Sequence, residues 1–314
     1  MKLRVVSVSG GKDSTATLLL ALETNWLGDV RAVFADTGHE SPTTYEYIDY
    51  LQDATGLRID RVRADFTRQV VTKRENPPRM ANGEPESAIY GARQFSVAWT
   101  PERAARAAAL MVPTGNPFLN LCLLKGGFPS RKRQFCTEHL KRTPLDLYQA
   151  GLLDEAHTVE AWHGVRADES ESRRGLPDYE WGAKISIARP ILRWGIERVF
   201  EQHRRHGVTP NPLYSQGMSR VGCFPCINAG KSEIREIALR YFEAIERVRE
   251  YERLVSEASR NPIGATFFHP RSVAGGRGVD AAVEWAKTTR GGRQYDLLAE
   301  DEPTMCSSMY GLCE

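Results

Sequence analysis

The sequence predicts an α/β protein, a doubly wound parallel sheet with a helical C-terminal extension. Three observations carry this. The β-rich runs at 3–8 and 30–35 flank the helical pattern Ala16-Thr17-Leu18-Leu19-Leu20-Ala21-Leu22, which together make a βαβ unit. Helix and strand patterns keep alternating after it, with a helix at 43–55 and strands at 57–62, 158–162 and 185–187. The first strand also runs straight into a glycine-containing turn at a helix start, the place where open parallel sheets hold ligands.

In chain order, Leu3-Arg4-Val5-Val6-Ser7-Val8 is the first strand and Ser9-Gly10-Gly11-Lys12-Asp13-Ser14 the turn. Gly10 and Gly11 let the backbone approach a ligand, and the amides at the helix start favour an anion. Lys12 adds a point charge, while Ser9 and Ser14 supply hydroxyls. The spacing is not the Walker one, so a different phosphate loop is expected. Val30-Arg31-Ala32-Val33-Phe34-Ala35 is the second strand; Asp36 at its end can accept hydrogen bonds, and Gly38 lets the chain turn tightly. A third strand covers 57–62, and a turn-rich stretch at 76–85 precedes an Ala/Arg-rich helical segment at 102–111. Strands at 158–162 and 185–187 complete the sheet, a long helical pattern spans 232–258, and 270–278 is a Gly/Arg loop. The expected organisation is a nucleotide-binding α/β domain over 1–230, with 76–135 as an insertion or cap, and a helical region over 231–314 ending in a cysteine-containing tail.

Composition excludes several classes. Hydrophobic residues at 41% and charged residues at 26% are globular values, and a net charge of +2 makes no bulk electrostatic case for nucleic acid. Short basic runs, Arg131-Lys132-Arg133 and Arg271 to Arg277, read first as solvated faces. No apolar run reaches the length of a membrane span and the chain opens on a strand, so a cytoplasmic protein without a membrane partner is expected. Six cysteines without a secretory signal favour metal or redox use over a disulfide scaffold. Cys223 and Cys226 form a C-x-x-C that alone fits zinc, a redox pair or an iron–sulfur site. Cys122, among leucines, reads as a buried apolar residue, and His203 and His206, among arginines, as a solvated helix face.

The string SGGKDS resembles the pyrophosphate loop of the adenine-nucleotide α-hydrolase superfamily, and the resemblance then narrows to the phosphoadenosine phosphosulfate (PAPS) reductase family. Asp36-Thr37-Gly38-His39 resembles that family's D-T-G-H segment, and Phe135-Cys136 through Lys141-Arg142-Thr143-Pro144-Leu145 its C-C-x-x-R-K-x-x-P-L element. Gly164-Val165-Arg166-Ala167-Asp168-Glu169-Ser170 with Arg173 resembles G-x-R-x-D-x-S…R, and Arg189-Pro190-Ile191-Leu192-Arg193-Trp194 the N-P-L-x-x-W segment. Asn211-Pro212-Leu213-Tyr214 with Val221-Gly222-Cys223-Phe224-Pro225-Cys226 resembles N-P-L-H…I-G-C-x-P-C. The blocks follow the family's order from residue 5 to 226.

The resemblance implies an adenine-nucleotide-binding enzyme on a Rossmann-like sheet. Ser9 to Ser14, Asp36, Gly38, Gly164, Arg166 and Arg173 would bind ATP, or PAPS or its unphosphorylated relative, with Mg2+ accompanying a triphosphate. It further implies a four-iron, four-sulfur cluster on Cys136, Cys223 and Cys226; the fourth ligand is open among Cys306, Cys313, Cys122 or a non-cysteine group, and of these Cys306 is taken as the ligand and Cys313 as the mobile reactive thiol. Cys136 is preceded by Phe135 where cluster-bearing reductases have a second cysteine, and the tail also departs from the reductase pattern. Of two enzyme readings, Lys12 favours an ATP pyrophosphatase-type sulfur transferase, with Lys12, Asp13 and Cys313 in catalytic roles. Such an enzyme would take sulfur from a cysteine desulfurase-type donor and pass it to an acceptor such as nucleic acid, as in DNA phosphorothioation or tRNA thiolation. The alternative is a thioredoxin-dependent sulfonucleotide reductase, and a third reading is a non-catalytic nucleotide-binding subunit of a modification or defence complex.

Overall fold

The computed structural model describes residues 2–75, 86–90, 93–97, 100–261, 263–268 and 276–288. Two compact units share them: one draws on Met1–Ala64 and Gln134–Glu233, the other on Asp65–Arg133 and Ile234–Asp301.

The first unit opens with β1 (Lys2–Val8), α1 (Lys12–Glu23), β2 (Asp29–Asp36), α2 (Pro42–Thr55) and β3 (Ile59–Arg63). The second unit follows with α3 (Thr67–Glu75), an antiparallel hairpin of β4 (Glu86–Tyr90) and β5 (Arg93–Val97), α4 (Pro101–Ala109) and α5 (Pro117–Lys125). The chain then returns to the first unit with α6 (Thr143–Gly151), β6 (Thr158–Trp162), α7 (Glu171–Arg174), β7 (Tyr179–Glu180), β8 (Ile185–Ala188) and α8 (Ile196–Arg205). It ends with α9 (Lys231–Arg240), α10 (Phe242–Ala258) and α11 (Gly278–Lys287).

The main sheet has the order β3-β2-β1-β6-β8-β7, parallel except for β7 at the edge. Its strands are buried on both faces because each alternates two apolar sets. Val6 and Val8 of β1, Ala32 and Phe34 of β2 and Trp162 of β6 pack with Leu18, Leu19, Ile48 and Leu51 of α1 and α2. Leu3, Val5, Val33 and Val159 point the other way, onto Leu145 of α6 and Leu152. Helices therefore cover both faces, as the predicted doubly wound class requires. Arg4 is a buried charge within β1. It donates to Thr24 Oγ1 and the Gly28 carbonyl and lies 5.1 Å from the Trp162 ring, which offsets part of the cost of its burial.

The single helix expected over 232–258 is two helices broken at Tyr241, whose backbone sits at φ −132°, ψ 59°. Ile234, Ile237, Ile245, Val248 and Val255 are all buried and continue at helical spacing across the break. A periodic pattern of this kind records which face is apolar but not whether the axis is continuous. The turn-rich run at 76–85 and most of the Gly/Arg loop at 270–278 lie outside the described residues. Among the described residues, no helix is long and apolar enough to cross a membrane.

Leu18 is fully buried between α1 and the sheet. Leu18→Ala is expected to lower stability by about 2–5 kcal/mol, read as a drop in the urea midpoint without a change in slope.

Candidate functional site

Strand β1 delivers the turn to the start of α1. Gly10 adopts φ +80°, and a Cβ there would also press within 3.1 Å of Thr44 Cγ2, so glycine serves both the turn and the close packing. The Ser14 hydroxyl donates to the Gly11 carbonyl at 3.0 Å and accepts from the Ser9 amide at 3.1 Å, which leaves the Ser9 hydroxyl to donate to it at 3.0 Å. The two serine hydroxyls thus shape the loop itself. Gly11 is the N-cap of α1 and offers no side-chain acceptor to the first helical turn.

Charge is concentrated at the next two residues. Asp13 is completely buried and takes Arg166 Nε at 2.6 Å on one carboxylate oxygen and Lys12 Nζ at 3.0 Å on the other. Arg166, itself 5% exposed, also forks onto Asp168 at 2.6 and 2.7 Å. Arg173 is buried and ion-paired with Glu169, whereas Arg174 is exposed and paired with Glu171. Gly164 lies where the end of β6 meets α1: a Cβ on it would stand 2.8 Å from both the Ser14 amide nitrogen and Cα. Only glycine lets this strand end pass so close to the loop.

The segment after β2 builds the neighbouring wall. Asp36 accepts from the Gly38 amide at 2.8 Å and from the Tyr45 hydroxyl at 2.7 Å, and Arg63 approaches its other oxygen at 3.5 Å. The same Tyr45 hydroxyl is 3.1 Å from Glu40. Glu40 is buried and further held by the Thr37 hydroxyl at 2.6 Å and by the Thr37 and His39 amides; burial pushes its carboxyl above the usual range.

Glu40 leads directly to the cysteines. It forms a backbone bridge with Cys223, Phe224 donates its amide to the His39 carbonyl at 2.7 Å, and His39 Nε2 donates to the Pro225 carbonyl at 3.0 Å. Cys136, Cys223 and Cys226 line one small cavity together with Thr137, Lys141, Arg220 and Asn228. Burial pushes the Cys223 thiol up to about 12 and raises Cys136 as well. Burial also pulls the Lys141 ammonium down, but Cys223, Glu40, Cys136 and Cys226 outweigh it and hold it above its ordinary value. In donor chemistry and charge, three thiols around a buried ammonium suit an anionic thiolate-bound group. The described set is nevertheless one thiolate short of four, and among the described residues no group of three or more His, Cys, Asp or Glu is already spaced as a metal site. Cys306 and Cys313 lie outside the described residues, and Cys122 is buried in α5 of the second unit.

Several residues escaped sequence reasoning. His203, expected on a solvated face, is 1% exposed, and its Nε2 donates to the Lys12 carbonyl at 2.8 Å; α8 turns that side chain onto α1 instead of outward. His206 is only partly exposed and contacts Glu23 at 2.9 Å. The Tyr214 hydroxyl accepts from the Lys12 amide at 3.1 Å, and Asn211 Nδ2 donates to the Gly10 carbonyl at 3.3 Å. Lys141 sat inside a quoted motif without being singled out, although a lysine three residues before Pro144 in a segment with a candidate ligand cysteine was the available signal.

Several known proteins have similar sequences. The sequence model of the phosphoadenosine phosphosulfate reductase domain matches residues 4–87 and 122–229. An uncharacterized 37.8 kDa protein of Escherichia phage 186 is 46% identical over 333 aligned residues, covering 99% of this chain and 97% of that protein. Adenosine 5′-phosphosulfate reductases of Allochromatium vinosum and Streptomyces coelicolor are 36% and 37% identical over 100 residues, 31% of this chain. The matched part spans only 36% and 39% of those two reductases.

Two outcomes follow from the site's packing. Gly164→Ala is expected to cost about 1–3 kcal/mol in urea unfolding, because its methyl meets backbone rather than a movable side chain. His163, next to Gly164, is buried, and burial followed by the charge of Arg189 lowers its imidazole to about 4. The unfolded chain binds a proton near the ordinary histidine value while the folded chain resists it, so stability is full above about pH 6.5 and falls as pH drops towards 4, by about 3 kcal/mol. The difference in urea stability between the parent and His163→Gln, followed over that pH window, should show this slope; a pH-independent difference would refute it.

Proposed function

The chain belongs to the phosphoadenosine phosphosulfate reductase domain family, and on that premise we propose that it binds an adenine nucleotide at Ser9 to Ser14 and acts as an ATP pyrophosphatase-type sulfur-transfer enzyme. The observation that carries the reading is Lys12. It stands at the start of α1 with its ammonium against Asp13 and 5.4 Å from the Tyr214 ring, beside the buried Arg166. A cation at the helix start suits a β,γ-pyrophosphate that gains charge as it leaves. In this reaction an acceptor oxygen attacks the α-phosphorus, the bond to the β-phosphate breaks, and pyrophosphate departs, leaving an adenylated acceptor. The outer sulfur of a persulfide on a cysteine desulfurase-type donor then attacks the adenylated centre and displaces AMP, and a second thiol breaks the S–S bond of the adduct, forming a disulfide with the donor and releasing the thiolated acceptor. The loop amides and Lys12 orient and neutralise the phosphates with Mg2+, Arg166 holds Asp13 in place, and Asp36 accepts from the nucleoside.

Cys136, Cys223 and Cys226, with Cys306, would hold a four-iron, four-sulfur cluster, which supplies sulfur or electron chemistry when bound. Cys313 is assigned as the mobile thiol, and a nucleic acid as the acceptor. Thiols kept for these purposes fit a cytoplasmic setting. The similarity to adenosine 5′-phosphosulfate reductases favours a second reading, in which a cysteine thiolate attacks the sulfur of a sulfonucleotide and thioredoxin releases sulfite.

Supplying ATP and adenosine 5′-phosphosulfate side by side separates the two. The expected result is AMP and pyrophosphate from ATP, with Lys12→Ala slowing their release by ~100-fold or more. Thioredoxin-dependent sulfite release with no pyrophosphate would establish the reductase instead. Anaerobically purified protein is expected to be brown, and a colourless zinc protein would remove the cluster.

A further inference from the structure

The loop's backbone is held from outside by a segment that the proposed chemistry leaves unused. Between 203 and 214, three side chains reach it: His203 at the Lys12 carbonyl, Asn211 at the Gly10 carbonyl and Tyr214 at the Lys12 amide. His203 makes the shortest of these contacts, 2.8 Å, against 3.3 and 3.1 Å for the others. Because a carbonyl only accepts, Nε2 carries the proton. Burial holds the imidazole below its ordinary range, which favours the neutral ring in that tautomer.

The consequence runs through the peptide plane. The Lys12 carbonyl and the Asp13 amide belong to one rigid unit, so fixing the oxygen fixes the direction of the N–H at its other end. Asp13 is the second residue of α1, where amides have no acceptor inside the helix and face whatever anion sits at its start. The carbonyl of Lys12 also anchors the root of the side chain that carries the ammonium. Within α1 the Lys12 carbonyl is the acceptor for the Ala16 amide, so His203 adds a second hold from outside the helix, while Gly11, the N-cap, has no side chain and the loop's own hydroxyls act on Ser9 and Gly11.

We propose that His203 is a positioning residue of the phosphate site: it donates through Nε2 to the Lys12 carbonyl and thereby aims the Asp13 amide and the Lys12 side chain at the nucleotide phosphates. This rests on the reading of the loop as the phosphate site. Removing the donor unties the first turn of α1 from α8, lets that terminal turn loosen, and weakens phosphate binding without touching the ligand. A side-chain amide can replace the imidazole as donor.

The test is calorimetric titration of the full chain with ATP and with adenosine 5′-phosphosulfate, scoring whichever binds the parent protein more tightly. His203→Leu is expected to weaken that ligand by about tenfold, and His203→Gln to stay within about threefold, with both thermal midpoints near the parent's. Parent-like affinity in His203→Leu, or equal weakening in both variants, overturns the positioning role. If neither nucleotide binds the parent protein, the phosphate-site reading itself fails, and the positioning role with it. Nitrogen-15 NMR of the parent protein needs no variant: the imidazole should be neutral with the proton on Nε2, and a proton on Nδ1 alone overturns the proposal.

Discussion

Everything at the site depends on the backbone of β6 passing within touching distance of the first turn of α1. Gly164 permits the approach, and the Arg166 to Asp13 ion pair two residues later locks it. β1 and β6 are adjacent parallel strands, so their C-terminal ends necessarily open into the same region. The ion pair is buried on both sides, and taking two charges out of water is expensive. It is tolerated because Asp13 also meets Lys12, and Arg166 also meets Asp168, so neither charge stands alone. Its role is better read as geometry than as net stability: a salt bridge with a direction holds the loop in one place, which apolar packing against glycine could not.

The second wall joins Asp36 to the cysteines without a gap. Tyr45 stands between Asp36 and Glu40, and Glu40 is bridged through its backbone to Cys223. One hydroxyl proton cannot serve two carboxylates equally, and Glu40, buried and pushed towards its protonated form, is the one that can carry the additional proton. Lys141 gives the opposite sign to the same pocket. A metal or cluster on the three thiols would release their protons and add negative charge, and a resident ammonium offsets that charge where water cannot.

What could be read from the sequence was whatever is encoded locally. The alternation in β1 and β2 shows because each strand is packed on both faces by apolar residues. Gly164 and Arg166 show because the constraint they meet selects residue types inside one short string. His203 did not show: its neighbours Arg204, Arg205 and His206 describe a solvated face, while its own burial is imposed by α1, far away in the chain. Lys141 lies inside a recognisable motif, but its place beside the thiols shows only once the cysteines from residues 223 and 226 are folded around it. The break at Tyr241 was invisible because both helices keep the apolar spacing that a single helix would have.

The charges around the loop also constrain which ligand it can take. The cations Lys12, Arg166 and Arg173 are each already matched by Asp13, Asp168 or Glu169, so the described surroundings are close to neutral rather than strongly positive. A ligand phosphate must therefore compete with resident carboxylates for those cations, relying first on the loop amides and the helix start. A triphosphate brings more negative charge than a sulfonucleotide and gains more from an added cation. On the proposed reading a Mg2+ bound through the substrate phosphates would supply that charge, and Asp168, half exposed beside Arg166, is a carboxylate that could hold it. On the proposed reading, ATP use would therefore call for a divalent cation beside the loop.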